Sequence, residues 1–110
     1  MSEHYTAWAD AKLVEMVPGL DRRTLAYSEE LMLIEFRSRV KGVEVPLHSH
    51  PHHQTGYVVS GELQITIDGT LHICKPGDSY VVPGGVQHGA VFPVETVLID
   101  CFTPARQEYK

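Results

Sequence analysis

Histidines crowd into one short stretch of this 110-residue chain, which holds seven histidines in all. His48 and His50 stand two positions apart in a segment with strong β character on both sides. An extended backbone directs residues i and i+2 to one face, so both imidazoles can reach one point. Pro51 then ends the strand pairing, Gln54 can approach from the next strand, and His88 joins from the second half of the chain. Three imidazole nitrogens and one amide oxygen suit a divalent transition metal, so the spacing predicts a metal centre.

A rival interpretation makes these histidines surface or hydrogen-bonded loop residues. That interpretation would suit a single histidine better than two at i and i+2 with further ligands at matching intervals. For His52 and His53, which lie between the predicted ligands, we expect supporting or solvent-facing roles.

The elements that must position these ligands are short strands separated by turns. Turn signals recur every eight to twelve residues, and Asp68-Gly69 between two alternating segments is typical of a tight hairpin. We find no amphipathic helix, so the rhythm predicts an all-β sandwich or barrel. A chain of this length forms one domain, 1–110, with a core over about 24–103 and N-terminal strands or an arm over 1–23.

Composition and charge exclude several classes of function. The net charge is −5 and no basic run is present, which argues against a nucleic-acid partner. An anionic substrate is also disfavoured unless a metal or an arginine concentrates positive charge locally. No apolar run approaches the ~20 residues of a membrane span, and no secretory leader is apparent at the start. Cys74 and Cys101 lack CxxC spacing, and buried free thiols suit them better than the alternative, a disulfide, so we expect a cytoplasmic protein.

The intervals around the histidines resemble the two signature motifs of the cupin superfamily. Gly42 stands six residues before His48 and Gln54 seven before Gly61, while the second half reads Gly77, Pro83, Gly85 and His88 at the intervals of the second motif. The resemblance implies a cupin jelly-roll β-barrel that encloses one divalent metal ion. It also implies that the metal ligands are His48, His50, Gln54 and His88.

Two positions depart from the cupin pattern. Gln54 stands where a glutamate is usual and Phe92 where an asparagine is usual. A neutral amide leaves the ion its full charge, which favours a carboxylate-bearing ligand and disfavours redox chemistry that depends on an anionic ligand. The ligand set suits nickel, zinc, manganese or iron, and the sequence does not choose among them.

The last predicted strand carries the second group of interest. Asp100 shares a face with Leu98 and Phe102, and the opposite face carries Val97, Ile99 and Cys101. Periodicity alone leaves two interpretations about evenly balanced: Asp100 faces water, or it faces inward with a functional role.

A narrower resemblance favours the inward aspartate. Pro46-Leu-His-Ser-His-Pro-His, Gln54, Tyr57-Val-Val-Ser-Gly, His88-Gly-Ala-Val and Leu98-Ile-Asp-Cys-Phe-Thr-Pro-x-Arg look like the small single-domain cupins of the KdgF family. The resemblance runs over nearly the whole chain from Leu25 and includes the glutamine of the metal site. It implies conversion of 4,5-unsaturated monouronates from pectin or alginate breakdown into linear 4-deoxy-5-ketouronates. It also implies functional roles for Asp100, Phe102 and Arg106.

These three residue types suit the implied chemistry. A carboxylate such as Asp100 can take or relay the proton of the C1 hydroxyl as the sugar ring opens. Arg106 can clamp the uronate carboxylate, and Phe102 can form an apolar wall. Tyr57, Tyr80 and metal-bound water all remain candidates for the donor of the proton that C4 receives.

Two other functions remain open at this stage. A cupin dioxygenase would consume O2 with a redox metal, and a non-catalytic sugar-binding cupin would release its ligand unchanged. Dimerisation through the N-terminal residues would cover a sheet edge, so a homodimer is also expected.

Overall fold

The computed structural model describes residues 4–110 and contains ten strands and two short 3-10 turns, with no α-helix in that range. Each strand ends at a glycine-, proline- or polar-rich turn of the kind the sequence indicates. In chain order the strands are β1 (Lys12–Val17), β2 (Leu20–Tyr27), β3 (Met32–Ser38), β4 (Val43–His48), β5 (His53–Ser60), β6 (Leu63–Ile67), β7 (Thr70–Cys74), β8 (Ser79–Val82), β9 (His88–Phe92) and β10 (Thr96–Thr103). The all-β prediction is confirmed.

The strands form two antiparallel sheets that pack face to face. The first has the order β1-β2-β3-β10-β5-β8 and the second the order β4-β9-β6-β7. Their inner faces supply the buried core, which includes Met32, Ile34, Val58, Leu63, Val82, Leu98 and Phe102. β1 and β2 extend the first sheet beyond β3, so the strands near the N-terminus belong to the same sheet as the core.

The hairpin between β6 and β7 follows the sequence prediction. Asp68 and Gly69 both have positive φ, 49° and 81°, and the two strands pair in register from Ile67↔Thr70 to Leu63↔Cys74. Positive φ at both central positions is the geometry of a two-residue turn that matches the twist of the strands.

β4 ends two residues earlier than the sequence suggests. Its pairing with β9 is interrupted between Val45 and His48, and Pro46, which has no N–H to donate, lies in that interval. Pairing resumes at His48, which lies opposite His88, and β9 begins at His88, so β4 has no partner beyond His48 and His50 lies in the loop that follows.

The N-terminal segment packs on the outer face of the first sheet. A 3-10 turn at Trp8–Asp10 brings the Trp8 indole N–H to both carboxylate oxygens of Glu35, each at 3.2 Å, and Arg23 stacks on the Trp8 ring at 3.6 Å. The sequence predicted N-terminal strands or an arm over 1–23; the structure has this turn followed by β1 and the start of β2, and residues 1–3 lie outside the described part. Dimerisation through this segment stays a prediction. No helix within residues 4–110 is long and apolar enough to cross a membrane.

Candidate metal centre and active site

Three histidines converge at one end of the space between the two sheets. His48 at the end of β4 pairs directly with His88 at the start of β9, and their ring centroids are 4.3 Å apart. The His50 ring lies 4.8 Å from that of His88 and 5.7 Å from that of His48. One ring nitrogen from each lies within 4.8 Å of the others. The predicted convergence of these three histidines is therefore confirmed.

The backbone sets the ring nitrogen that each histidine presents. Nδ1 of His48 is hydrogen-bonded to the backbone carbonyl oxygen of Pro46 at 2.9 Å. Nδ1 of His50 is bonded in the same way to the carbonyl of His52 at 3.0 Å, and Nδ1 of His88 to the carbonyl of Val86 at 2.9 Å. A carbonyl can only accept, so each Nδ1 carries the proton and each Nε2 keeps its lone pair. Hydrogen bonding of the second ring nitrogen is also how metal-binding histidines are usually oriented.

Burial keeps two of these imidazoles in the neutral form that binds metals. Burial lowers the pKa of His50 to about 4, helped by the nearby positive charge of Arg106, and burial also lowers the pKa of His88. The His50 Nε2 atom is buried and has no hydrogen-bond partner in the described residues. A buried polar atom of this kind is costly unless a ligand satisfies it.

Gln54 lies at the start of β5 and lines the same cavity as His48 and His88. Its Nε2 donates to Asp100 Oδ2 at 2.9 Å, while its Oε1 is buried without a partner in the described residues. The bond to Asp100 assigns the amide nitrogen, so the oxygen is the atom left for a ligand. Three imidazole nitrogens and one orphaned amide oxygen fit a divalent transition metal. Gln54 as the fourth ligand remains a prediction, which this orphaned oxygen supports.

Asp100 faces inward. Its side chain is 1% exposed, and the face it shares with Leu98 and Phe102 is the buried face of β10. It accepts hydrogen bonds from the Tyr80 hydroxyl at 2.6 Å and from Gln54. Burial raises the pKa of this carboxyl to about 7, although both hydrogen bonds act in the opposite direction. Of the two interpretations left open by periodicity, the inward one is correct.

Phe102 and Arg106 border the same cavity beyond Asp100. Phe102 is 1% exposed and its ring meets the edge of the His50 ring at a centroid distance of 5.8 Å. The Arg106 guanidinium lies 5.2 Å from the Phe102 ring and 4.0 Å from the Tyr109 ring. Its Nε donates to Glu108 at 2.8 Å and its Nη1 to the Tyr109 hydroxyl at 2.9 Å, so N–H groups on both Nη atoms remain for a ligand.

The sequence interpretation missed two residues at this end of the cavity. Tyr109 is buried in the C-terminal turn, and Arg22, only 6% exposed, stacks on its ring at 4.1 Å. Two guanidinium groups thus flank one aromatic ring and concentrate positive charge, although the chain as a whole is acidic. The alternation of Leu20, Arg22 and Thr24 along β2 was the available signal for an inward arginine.

The neighbouring histidines have the supporting roles expected of them. His53 is exposed, and its Nδ1 accepts the backbone N–H of Gly84 at 3.0 Å. His52 supplies the carbonyl that orients His50. Both therefore help to hold the loops around the predicted metal ligands.

Comparison with known proteins agrees with this architecture. The family model described as "Cupin domain" matches residues 36–99. The solved structure of an RmlC-like cupin from Shewanella frigidimarina superposes with a TM-score of 0.91 at 38% identity, covering 99% of this chain and 97% of the other.

The sequence is also similar to the pectin degradation protein KdgF of Dickeya dadantii, 33% identical over 97 residues that cover 86% of this chain and 87% of that protein. The structure of KdgF from Halomonas superposes with a TM-score of 0.87 at 28% identity, and the full length of both chains is covered. The chain therefore has a cupin domain and belongs to the KdgF family.

Proposed function

We propose that this protein acts in pectin or alginate breakdown and converts 4,5-unsaturated monouronates into linear 4-deoxy-5-ketouronates with the help of a divalent metal. The observation that carries the proposal is the position of Asp100. It is buried in the cavity beside the histidine cluster, hydrogen-bonded to the Gln54 amide, with Arg106 lining the same cavity. Similarity to the pectin degradation protein KdgF supports the choice of substrate.

The cavity offers complementary groups for an unsaturated uronate. Arg106 can bind the substrate carboxylate through its free Nη hydrogens, because Nε is occupied by Glu108. Phe102 presents an apolar surface for the sugar ring between that guanidinium and His50. These contacts would hold the C1 hydroxyl within reach of Asp100.

The reaction needs one proton removed and one added. Asp100 takes the proton of the C1 hydroxyl, the C1–O5 bond breaks, and the electron pair passes to the enolate at C5. Protonation at C4 then gives the 5-ketone, and no oxidant or second substrate is needed. His48, His50, His88 and Gln54 would hold the ion, which would supply Lewis-acid stabilisation of the negative charge on the C5 oxygen.

The test is an ultraviolet assay at the absorbance of the conjugated double bond. Metal-loaded protein should accelerate the loss of this signal, a chelator should abolish the acceleration, and proton NMR should identify the 5-ketone. Equal rates with and without protein would refute the activity. A rate that a chelator leaves unchanged would refute the metal requirement.

A matched pair of variants ties the activity to the cluster. His88→Ala should lose bound metal and turnover together, whereas His72→Ala, which removes an exposed histidine of β7, should keep both. Oxygen uptake during the assay would point instead to a cupin dioxygenase, and a substrate that binds tightly but is recovered unchanged would indicate a sugar-binding protein.

A further inference from the structure

Three neighbouring strands place Tyr80 and Asp100 on either side of a glycine. In the first sheet Asp100 of β10 lies opposite Gly56 of β5, and Gly56 lies opposite Tyr80 of β8. A Cβ at Gly56 would overlap both Asp100 Oδ1 and the Tyr80 phenol. The missing side chain therefore lets the Tyr80 ring cross β5, and its hydroxyl donates to Asp100 Oδ1 at 2.6 Å.

Tyr80 also lines the cavity that Asp100, His48 and His88 line. Tyr57, the other tyrosine that the sequence left as a candidate donor, is 50% exposed on the outer face of β5 and does not line this cavity. The Tyr109 hydroxyl accepts a hydrogen bond from Arg106 in the C-terminal turn. Among the described tyrosines, Tyr80 is the one whose hydroxyl is bonded to Asp100.

We propose that Tyr80 is a catalytic residue that delivers the proton to C4 and is then reprotonated by Asp100. The inference rests on the proposed ring-opening function and deepens it. C1 and C4 belong to one six-membered ring, so two groups joined by a single short hydrogen bond can serve both positions. The hydrogen-bonded pair then removes one proton at C1 and delivers another to C4.

The proton and electron balance closes within this pair. Asp100 takes the proton of the C1 hydroxyl, C1=O forms, and the C1–O5 bond breaks. The enolate electrons form the C4–H bond with the Tyr80 proton as the C5 ketone forms. The proton held by Asp100 then passes to the tyrosinate along the existing hydrogen bond, which restores both groups.

The first test is Tyr80→Phe with Tyr57→Phe as the matched control. Loss of a general acid should lower kcat by about 10²–10⁴-fold with KM and bound metal little changed. Tyr57→Phe should keep the wild-type kcat, because that ring lies on the outer face. A Tyr80→Phe protein with wild-type kcat would overturn the proposal.

A second measurement separates proton delivery from mere positioning of Asp100. Reaction in D2O, quenched early with borohydride so that the ketone cannot exchange, should place deuterium at C4 in one configuration with the wild-type protein. The residual product of Tyr80→Phe should carry deuterium in both configurations. If that product keeps the single configuration, Tyr80 only positions Asp100 and the proposal is wrong.

These outcomes are distinguishable from failure of the proposed function. If the wild-type protein does not consume the unsaturated uronate, the function fails and the inference fails with it. If the wild-type protein is active and only the Tyr80 results disagree, the ring-opening function stands and the role of Tyr80 alone is refuted.

Discussion

At the scale of single residues, Asp100 is the group on which the proposed chemistry depends. Asp100→Asn should keep the fold and the metal content while turnover falls by about 10²–10⁴-fold. An asparagine can keep its oxygen toward the Gln54 amide and donate its N–H to the Tyr80 oxygen, so both hydrogen bonds can persist with one reversed. Metal analysis, thermal melting and the ultraviolet assay measure the three quantities. Wild-type turnover in this variant would rule out the acid–base role.

Gln54 is the second decisive residue, because it sets the charge of the site. Gln54→Glu should raise KM for the anionic uronate, since a carboxylate offsets part of the charge of the ion. It would also put a second carboxylate beside Asp100, where the amide now donates at 2.9 Å, and such a buried pair tends to share a proton. Steady-state kinetics on metal-matched samples provide the measurement, and an unchanged KM would contradict the charge argument.

At the scale of elements, the three adjacent strands β8, β5 and β10 determine the geometry of the pair Tyr80 and Asp100. Gly56→Ala should destabilise the fold by about 1–3 kcal/mol and lower turnover, because the new methyl group overlaps Asp100 and Tyr80. Thr55→Ala is the control, since Thr55 precedes it and is exposed on the other face. Denaturant unfolding and the ultraviolet assay should show both losses only for Gly56→Ala. Equal stability and turnover in the two variants would mean that the three strands accommodate the methyl group, and would contradict the prediction.

The C-terminal turn is the other element that shapes the site. It carries Arg106 back to the cavity and is tied to β2, because Thr24 donates to the carbonyl of Tyr109 and Arg22 stacks on its ring. The N-terminal strands therefore support this turn, and their residues Met16, Val17 and Leu20 line the cavity, although they supply none of the predicted ligands.

At the scale of the whole molecule, metal binding should be linked to stability. The orphaned Nε2 of His50 and Oε1 of Gln54 are buried in the folded state, so an ion that binds them stabilises that state only. At one hundred times Kd the stabilisation is about 2.7 kcal/mol. Thermal melting should therefore show a lower Tm with chelator and recovery with added metal, in wild type and in His72→Ala alike. Identical melting with and without metal would contradict a site at these atoms.

Much of the fold and part of the site followed from local sequence. Period-2 alternation and turn residues predict the strands. The predicted hairpin at Asp68-Gly69 was correct to the residue, because a two-residue turn sets the register of the strands it joins. The convergence of His48, His50 and His88 was also correct. The prediction that β4 continues to His50 was wrong, because the strand ends where its partner β9 begins, opposite His48, and that pairing is a tertiary contact.

The sequence by itself determined the strands, the glycine and proline turns and the identity of the clustered histidines, since these depend on neighbours a few residues apart. Only the tertiary structure decided that Asp100 points inward, because alternation defines two faces of β10 without saying which one is covered. It alone placed Tyr80 across Gly56 from Asp100 and Tyr109 between two arginines. Those contacts join residues far apart in the chain, and they exist because the order of strands in the sheet differs from their order in the sequence.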